Sequence, residues 1–257
     1  MSEVNGEKID MAESMRKGIY ILPNLFTTGS LFAGFYGIVA TTNGDFNNAA
    51  IWILVSSIFD GLDGKVARLT GTSTKFGVEY DSLADLVAFG VAPGILMYSW
   101  ALKPFGRLGW LAAFLFVVCG ALRLARFNVQ VNTVESKRFV GLPIPAAASM
   151  VSATVLLFHR FGWGSYKKLA ILILIYSLAF LMVSSFRYYS FKDPELIKRQ
   201  PFAFLVLAIL LLIVIAAEPF IMLFAVFFAY IASGPMGFLM TYPRRRRLEK
   251  VLRKESQ

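Results

Sequence analysis

The sequence predicts an all-α protein that crosses a membrane several times, and three observations support this fold class. Hydrophobic residues make up 57% of the 257 residues and charged residues only 16%. Soluble domains contain roughly 45–50% apolar and about 25% charged residues. The apolar residues also fall into runs of about 20, the length that a helix needs to cross a bilayer. Lipid is therefore the expected solvent for much of the surface.

Eight apolar runs qualify as predicted membrane-spanning helices. They cover approximately 20–42, 47–69, 82–102, 108–127, 143–160, 168–189, 201–217 and 219–240, and a tight turn at Glu218 and Pro219 separates the last two. We expect a cytoplasmic segment over 1–18, a membrane-embedded domain over 19–242 and a basic tail over 243–257. The N-terminal segment lacks the pattern of a cleaved signal peptide, so the first helix should serve as the insertion signal.

The basic residues predict which loops face the cytoplasm. With the N-terminus in the cytoplasm, 21 of the 26 Lys and Arg residues fall on that side and 5 on the other. Positive charge concentrates on the cytoplasmic side of membrane proteins. The sequence thus predicts a multi-pass protein of the cell membrane with an even number of spans, both termini in the cytoplasm and an active site at that face.

Composition also narrows the possible chemistry. The only cysteine is Cys119 and the only histidine is His159, so an intramolecular disulfide and a Cys/His metal cluster are excluded. The net charge of +10 could indicate nucleic acid, but no nucleic-acid-binding motif is present. Contact between the basic loops and anionic lipid is the simpler interpretation.

Four aspartates break the apolar pattern at one predicted membrane edge. Asp60 and Asp63, three apart, end the second predicted helix, and Asp81 and Asp85, four apart, begin the third. Residues at these spacings share a helix face, and a short connection should bring the two pairs together. Clustered carboxylates repel one another unless a proton or cation lies among them. Oxygen ligands without thiol or imidazole favour Mg²⁺, Mn²⁺ or Ca²⁺.

The residues between the aspartates suit a phosphate ligand. Gly61, Gly64 and Gly77 leave room for a ligand to approach the backbone, and Arg68 could meet a phosphate. The alternative interpretation is a salt-bridged helix end, in which the aspartates pair with Lys65, Arg68 and other nearby cations. Four aspartates at two helical spacings favour the metal site.

This stretch resembles the signature of the CDP-alcohol phosphotransferase family, D-x-x-D-G-x-x-A-R-x8-G-x3-D-x3-D. The matching residues, with every spacing kept, are Asp60, Asp63, Gly64, Ala67, Arg68, Gly77, Asp81 and Asp85. The resemblance implies a six-helix catalytic core, a two-fold homodimer and displacement of CMP from a CDP-linked lipid by an alcohol.

The resemblance also implies roles for these residues. The four aspartates would hold one or two divalent metal ions, Mg²⁺ or Mn²⁺, and Asp85 would in addition be the general base. Gly64, Ala67, Arg68 and Gly77 would line the CDP-lipid site. The physical logic agrees, because phosphoryl-type transfer depends on positioning and charge stabilisation.

Three further segments indicate the acceptor alcohol. ILPNLFTTGSLFAGF, CGALRLARFNV and FVGLPIPAAA are similar to the membrane-embedded phosphatidylserine synthases of bacteria and archaea. This resemblance implies transfer of a phosphatidyl group from CDP-diacylglycerol to the hydroxyl of L-serine.

Polar residues near the aspartates suggest where these substrates bind. Arg123, Arg126 and Asn128 could contact serine or phosphate, although Arg126 and Asn128 cannot both share the helix face of Arg123. Asn24 and Thr28 could face the nucleotide or could only pack between helices.

Two other functions stay open. A sister transferase that accepts glycerol phosphate or inositol phosphate would have an extra basic cluster beside the aspartates. A cation transporter would have acidic residues at mid-membrane in several helices, whereas here they cluster at one edge.

Overall fold

Helices account for nearly all of the residues that the computed structural model describes, which are 2–71, 74–131, 138–162, 167–189 and 218–255. The long helices, in chain order, are α1 (Ser2–Thr42), α2 (Phe46–Thr70), α5 (Arg107–Val131), α6 (Ile144–Phe161), α7 (Lys167–Val183) and α8 (Pro219–Glu255). Between α2 and α5 lies one composite helix, which carries half of the aspartate cluster.

The composite helix changes its winding along its length. It consists of α3 (Lys75–Asp85), a π-helical stretch (Leu86–Val91), α4 (Ala92–Met97), a second π-helical stretch (Tyr98–Leu102) and a 3₁₀ turn (Lys103–Phe105). Pro93 has no amide hydrogen to donate to the preceding turn. The first π-helical stretch ends two residues before this proline. Such π-helical turns occur often at functional sites.

Local capping fixes both ends of α2 and the start of α3, the helices that carry the aspartates. The Asp45 side chain accepts a hydrogen bond from the Asn48 amide at the start of α2, and α2 ends at Gly71 with φ of +63°. The Thr74 hydroxyl accepts the Gly77 amide hydrogen at 3.0 Å at the start of α3. A glycine adopts this left-handed conformation at little cost, and Thr is a favoured N-cap. Gly71 and Thr74 therefore define where α2 ends and where α3 begins.

Small and polar side chains hold α1 against α2 and the composite helix. The hydroxyls of Ser30 and Ser56 are 2.8 Å apart, and each hydroxyl also donates to the other residue's backbone carbonyl. Gly34 lies against Ala88, where a Cβ on the glycine would be 2.5 Å from the Ala88 Cα. Small residues let helix backbones approach closely in membranes. This contact sets which residues of α1 reach the aspartates.

The described helices confirm a polytopic all-α membrane protein. Within the described ranges, five segments are long and apolar enough to cross a bilayer: Leu22–Thr42, Lys75–Phe105, Arg107–Val129, Ile144–Phe161 and Pro219–Phe238. Helix α2 matches the predicted second span in length, but its aspartates and asparagines make it more polar than these five. The predicted 201–217 span lies outside the described residues, and the count of eight stays a prediction.

The sixth predicted span, 168–189, is wrong at its C-terminal end. Helix α7 stops at Val183, and the chain then forms strand β2 (Arg187–Tyr189), which pairs antiparallel with β1 (Arg138–Val140). Gly141, with φ of +82°, turns the chain after β1, and its amide donates to the Phe186 carbonyl at 2.8 Å. The apolar composition continued past the helix because Phe186 and Tyr188 pack inward between helices.

Candidate active site and metal centre

The two aspartate pairs face each other, as their spacing predicts. Carboxylate oxygens of Asp60, Asp63 and Asp81 all lie within 4.8 Å of one another. The carboxyl group of Asp85 is hydrogen-bonded to that of Asp60. The end of α2 and the start of the composite helix thus bring four carboxyl groups into one cluster, with Asp85 the last residue before the first π-helical stretch.

The cluster is sheltered from solvent. The side chains of Asp63 and Asp85 are buried, while Asp60 and Asp81 are partly buried. Anionic carboxylates in such a site lose hydration and repel one another. The described residues do not form the alternative arrangement, in which nearby cations pair with the aspartates at a helix end. Lys65, Arg68 and Lys75 are exposed, and the side chains that act on the aspartates are one another, a threonine and a buried arginine.

The threonine is Thr27 on α1, which the sequence interpretation missed. Its hydroxyl donates to a carboxylate oxygen of Asp63 at 3.0 Å and also contacts the Pro23 carbonyl at 3.2 Å. Thr28, for which we considered both a nucleotide contact and packing between helices, is hydrogen-bonded to the Tyr80 hydroxyl at 2.9 Å. The register of α1 therefore directs Thr27 into the cluster and Thr28 to α3.

The glycines of the signature differ in the space around them. A Cβ on Gly61 would meet nothing within 4 Å, and one on Gly64 would meet only the Arg68 guanidinium at 4.0 Å. Gly77 is packed instead: a Cβ there would lie 3.2 Å from the Thr74 hydroxyl and 3.4 Å from the Asn24 side-chain oxygen. The α2 side of the cluster, beside the partly buried Ala67, is thus open to a ligand.

The three polar residues predicted for serine or phosphate point in three directions. Arg123 is buried, and its charge acts on Asp60 and Asp85. Arg126 donates to the Met182 carbonyl at the end of α7, at 3.1 Å. The side-chain amide of Asn128 donates to the Ser82 hydroxyl of α3, at 2.9 Å.

Of these three residues, Arg123 is the one whose charge acts on the aspartates. Arg126 ties α5 to α7, and Asn128 ties α5 to the helix that carries Asp81 and Asp85. This divergence agrees with the expectation that the three residues cannot share one ligand. Arg126 and Asn128 are part of the frame that holds the cluster.

The donor set fits a divalent cation. Asp60, Asp63 and Asp81 present hard carboxylate oxygens at distances that one ion could bridge, and Thr27 fixes the orientation of Asp63 from behind. Metal-binding carboxylates are commonly oriented by such hydrogen bonds. Cys119, on α5, is no member of the cluster. Oxygen donors alone favour Mg²⁺, Mn²⁺ or Ca²⁺ over zinc.

Several known proteins are similar in sequence to this chain. The CDP-diacylglycerol–serine O-phosphatidyltransferase of Helicobacter pylori is 47% identical over 179 residues, which cover 69% of this chain and 75% of that protein. The archaetidylserine synthase of Methanothermobacter thermautotrophicus is 41% identical over 169 residues, or 65% of this chain and 69% of that protein.

A more distant relative extends further along the chain. The CDP-diacylglycerol–serine O-phosphatidyltransferase of Mycobacterium tuberculosis is 32% identical over 233 residues, covering 86% of this chain and 80% of its own length. Residues 20–186, which include all four aspartates and Arg123, match the family described as CDP-alcohol phosphatidyltransferase. The chain is therefore a member of the CDP-alcohol phosphatidyltransferase family, and it is a membrane-embedded phosphotransferase.

Proposed function

We propose that this protein transfers a phosphatidyl group from CDP-diacylglycerol to the hydroxyl of L-serine and releases CMP. One observation carries the proposal: among the described residues, four carboxyl groups from two helices converge, and the charge of the buried Arg123 acts on two of them. The carboxyl groups suit pyrophosphate chemistry, and the arginine suits an acceptor with a carboxylate. The names of the relatives in three organisms support the same reaction.

The proposed chemistry assigns the proton transfer to Asp85. Its carboxylate accepts the proton of the serine hydroxyl, and the hydroxyl oxygen attacks the phosphorus of the diacylglycerol-linked phosphate. The bond from that phosphorus to the bridging oxygen breaks, and CMP leaves with the electron pair. Asp85 is buried and hydrogen-bonded to Asp60, so its carboxyl group is held in a fixed position. Such general-base assistance typically contributes 10²–10⁴-fold to the rate.

Asp60, Asp63 and Asp81 would hold Mg²⁺ or Mn²⁺. A divalent cation supplies charge neutralisation for the pyrophosphate and for the departing CMP. The open surface at Gly61 and Gly64 admits the nucleotide end of the CDP-lipid. We expect chelation by EDTA to abolish turnover and either ion to restore it. Full activity after verified metal removal would contradict this assignment.

Arg123 would bind the serine carboxylate. The Nε atom of Arg123 is buried and has no hydrogen-bond partner within the described part of the chain. A buried donor without a partner is costly, so this atom is suited to an acceptor that arrives with the ligand. Serine has a carboxylate that glycerol phosphate and inositol phosphate lack, and their phosphate would call for additional cations at the same place.

A product assay with a panel of alcohols tests the proposed function. Purified protein is given CDP-diacylglycerol, Mg²⁺ or Mn²⁺, and either L-serine, glycerol phosphate or inositol phosphate. We expect CMP release and a labelled lipid product with serine alone. Efficient use of either phosphorylated alcohol, with serine inactive, would instead establish the sister transferase.

We further propose a cell-membrane protein with both termini and the aspartate cluster on the cytoplasmic side, acting as a homodimer. The 21 to 5 division of basic residues supports this orientation. A cysteine introduced at Ser165, in a Cys119→Ser background, should react with an impermeant thiol reagent only from outside the cell. Reaction only from the cytoplasmic side would overturn the orientation.

A further inference from the structure

We propose that the hydrogen bond between Asn128 and Ser82 aligns the acceptor alcohol with its general base, which makes both of them positioning residues for the transfer step. This inference rests on the proposed function, because it takes Asp85 as the base and Arg123 as the group that binds the acceptor. Asn128 follows Arg123 by five residues on α5. Ser82 precedes Asp85 by three residues on α3. The bond therefore joins the helix of the acceptor-binding arginine to the helix of the base.

The donors and acceptors fix the direction of this bond. The Ser82 hydroxyl donates its single proton to the Val78 carbonyl at 3.0 Å. Its oxygen is therefore the acceptor for the side-chain amide of Asn128, which donates to it at 2.9 Å. The bonds run from Asn128 through Ser82 to the backbone of α3. They attach the C-terminal part of α5 to a defined point on α3.

Close packing joins the same two helices at a second level. Val117 on α5 lies over two glycines of the composite helix. A Cβ on Gly94 would be 3.1 Å from the Val117 side chain, and one on Gly90 would be 4.0 Å from it. The Gly94 position also faces the Ala113 carbonyl, at 3.5 Å. Small residues allow such close approach between membrane helices. The composite helix therefore contacts α5 by packing at one level and by a hydrogen bond at another.

These two contacts lie on either side of Arg123 and Asp85. Arg123 is between the two contact points on α5, and Asp85 is between them on the composite helix. The helices are antiparallel, since the later residue of α5 contacts the earlier residue of the composite helix. Interpolation between the contacts places Arg123 within about one helical turn of the level of Asp85. The action of the Arg123 charge on Asp85 agrees with this proximity. Loss of the hydrogen bond removes one of the two contacts that set their separation.

Removal of either partner tests the alignment. Asn128→Ala and Ser82→Ala should each lower kcat with serine by about 10- to 100-fold, because a displacement of about 1 Å between reacting groups can cost 10²-fold in rate. The KM for CDP-diacylglycerol and the Mg²⁺ concentration for half-maximal activity should stay at their wild-type values. Ser82→Thr keeps the accepting hydroxyl and should retain most of the wild-type kcat. If Asn128→Ala does not fold, Ser82→Ala tests the same bond by the loss of one oxygen atom.

Two further measurements, made well below the Tm of every variant, separate alignment from general destabilisation. The double variant Asn128→Ala, Ser82→Ala should lose no more kcat than the more impaired single variant, because residues that act through one bond are non-additive. The control is Tyr176→Phe, which removes a hydrogen bond to the opposite end of α5, where the tyrosine hydroxyl donates to the Leu108 carbonyl at 3.4 Å. This control should lower Tm at most and leave kcat unchanged.

Three results would overturn the positioning role: an unchanged kcat in the single variants, additive losses in the double variant, or an equal loss of kcat in Tyr176→Phe. Weaker binding of Mg²⁺ or CDP-diacylglycerol that accounts for the lost activity would also overturn it. If the wild-type protein does not use serine, the proposed function fails, and the variants are measured with the alcohol that the protein does use. A lower kcat for that alcohol, with KM for CDP-diacylglycerol unchanged, would still support the positioning role, and an unchanged kcat would overturn it.

Discussion

Replacing Asp81 by asparagine should make the metal-free protein more stable while it weakens metal binding. Asp81 has carboxylate oxygens of Asp60 and Asp63 within 4.8 Å. Two unit charges at that distance repel by about 3 kcal/mol when the effective dielectric constant is about 20. Proton uptake relieves part of this repulsion. We therefore expect the free energy of unfolding without metal to rise by roughly 1–3 kcal/mol.

Thermal unfolding in detergent measures this effect in excess EDTA and in saturating Mg²⁺. For a chain of this size, 1 kcal/mol shifts Tm by roughly 2–4 °C. In EDTA the variant should unfold at a higher temperature than the wild type. With Mg²⁺ the wild type should gain more stability than the variant, because at a given concentration a ligand that binds the folded protein more tightly stabilises it more. Glu79→Gln removes an exposed acidic group from the same helix and should change neither value.

Two results would contradict the Asp81→Asn prediction. An Asp81→Asn variant less stable than the wild type in EDTA would mean that the carboxyl groups stabilise the fold by pairing. The cluster would then be a structural helix junction. A variant that gains as much from Mg²⁺ as the wild type would show that Asp81 is no ligand.

Two further substitutions test contacts around the site. Thr27→Val should raise the Mg²⁺ concentration for half-maximal activity about tenfold, because it removes a hydrogen bond to a charged ligand. Thr28→Val removes only a hydrogen bond to Tyr80 and should not raise this concentration. Equal effects of the two substitutions would contradict the role assigned to Thr27. Gly234→Ala should lower the free energy of unfolding by about 1–3 kcal/mol, because a Cβ there overlaps Tyr188. A Cβ at Gly237 would meet nothing within 4 Å, so Gly237→Ala should leave Tm unchanged or raise it. A Gly234→Ala variant as stable as the wild type would contradict the packing of Tyr188 against Gly234.

The sequence predicted the aspartate cluster because its information is local. The spacing of Asp60 from Asp63, and of Asp81 from Asp85, fixes shared helix faces, and the short connection leaves the two faces few ways to lie. The divergence of Arg126 and Asn128 from Arg123 follows from the same helical geometry. Apolar length likewise predicted most of the described spans.

What the sequence did not predict depends on contacts between distant residues. Whether Thr27 or Thr28 reaches the cluster is decided by the close contact of Gly34 with Ala88, which no local pattern reveals. Thr27 and Thr28 nevertheless lie three and four residues after Asn24, and both spacings place a residue on the helix face of Asn24. The end of α7 depends on a strand pair and on the packing of Tyr188 against α8, which join residues more than 40 positions apart in the sequence.

The most direct test of the proposed chemistry is the single-turnover rate of Asp85→Asn with CDP-diacylglycerol and serine at saturating Mg²⁺. The rate of CMP release should fall by roughly 10²–10⁴-fold, or about 3–5 kcal/mol of barrier, while the affinity for CDP-diacylglycerol stays near the wild-type value. Asp60→Asn, measured in parallel, should weaken metal and CDP-lipid binding together. Near-normal turnover by Asp85→Asn would contradict the assignment of the serine proton to this carboxylate.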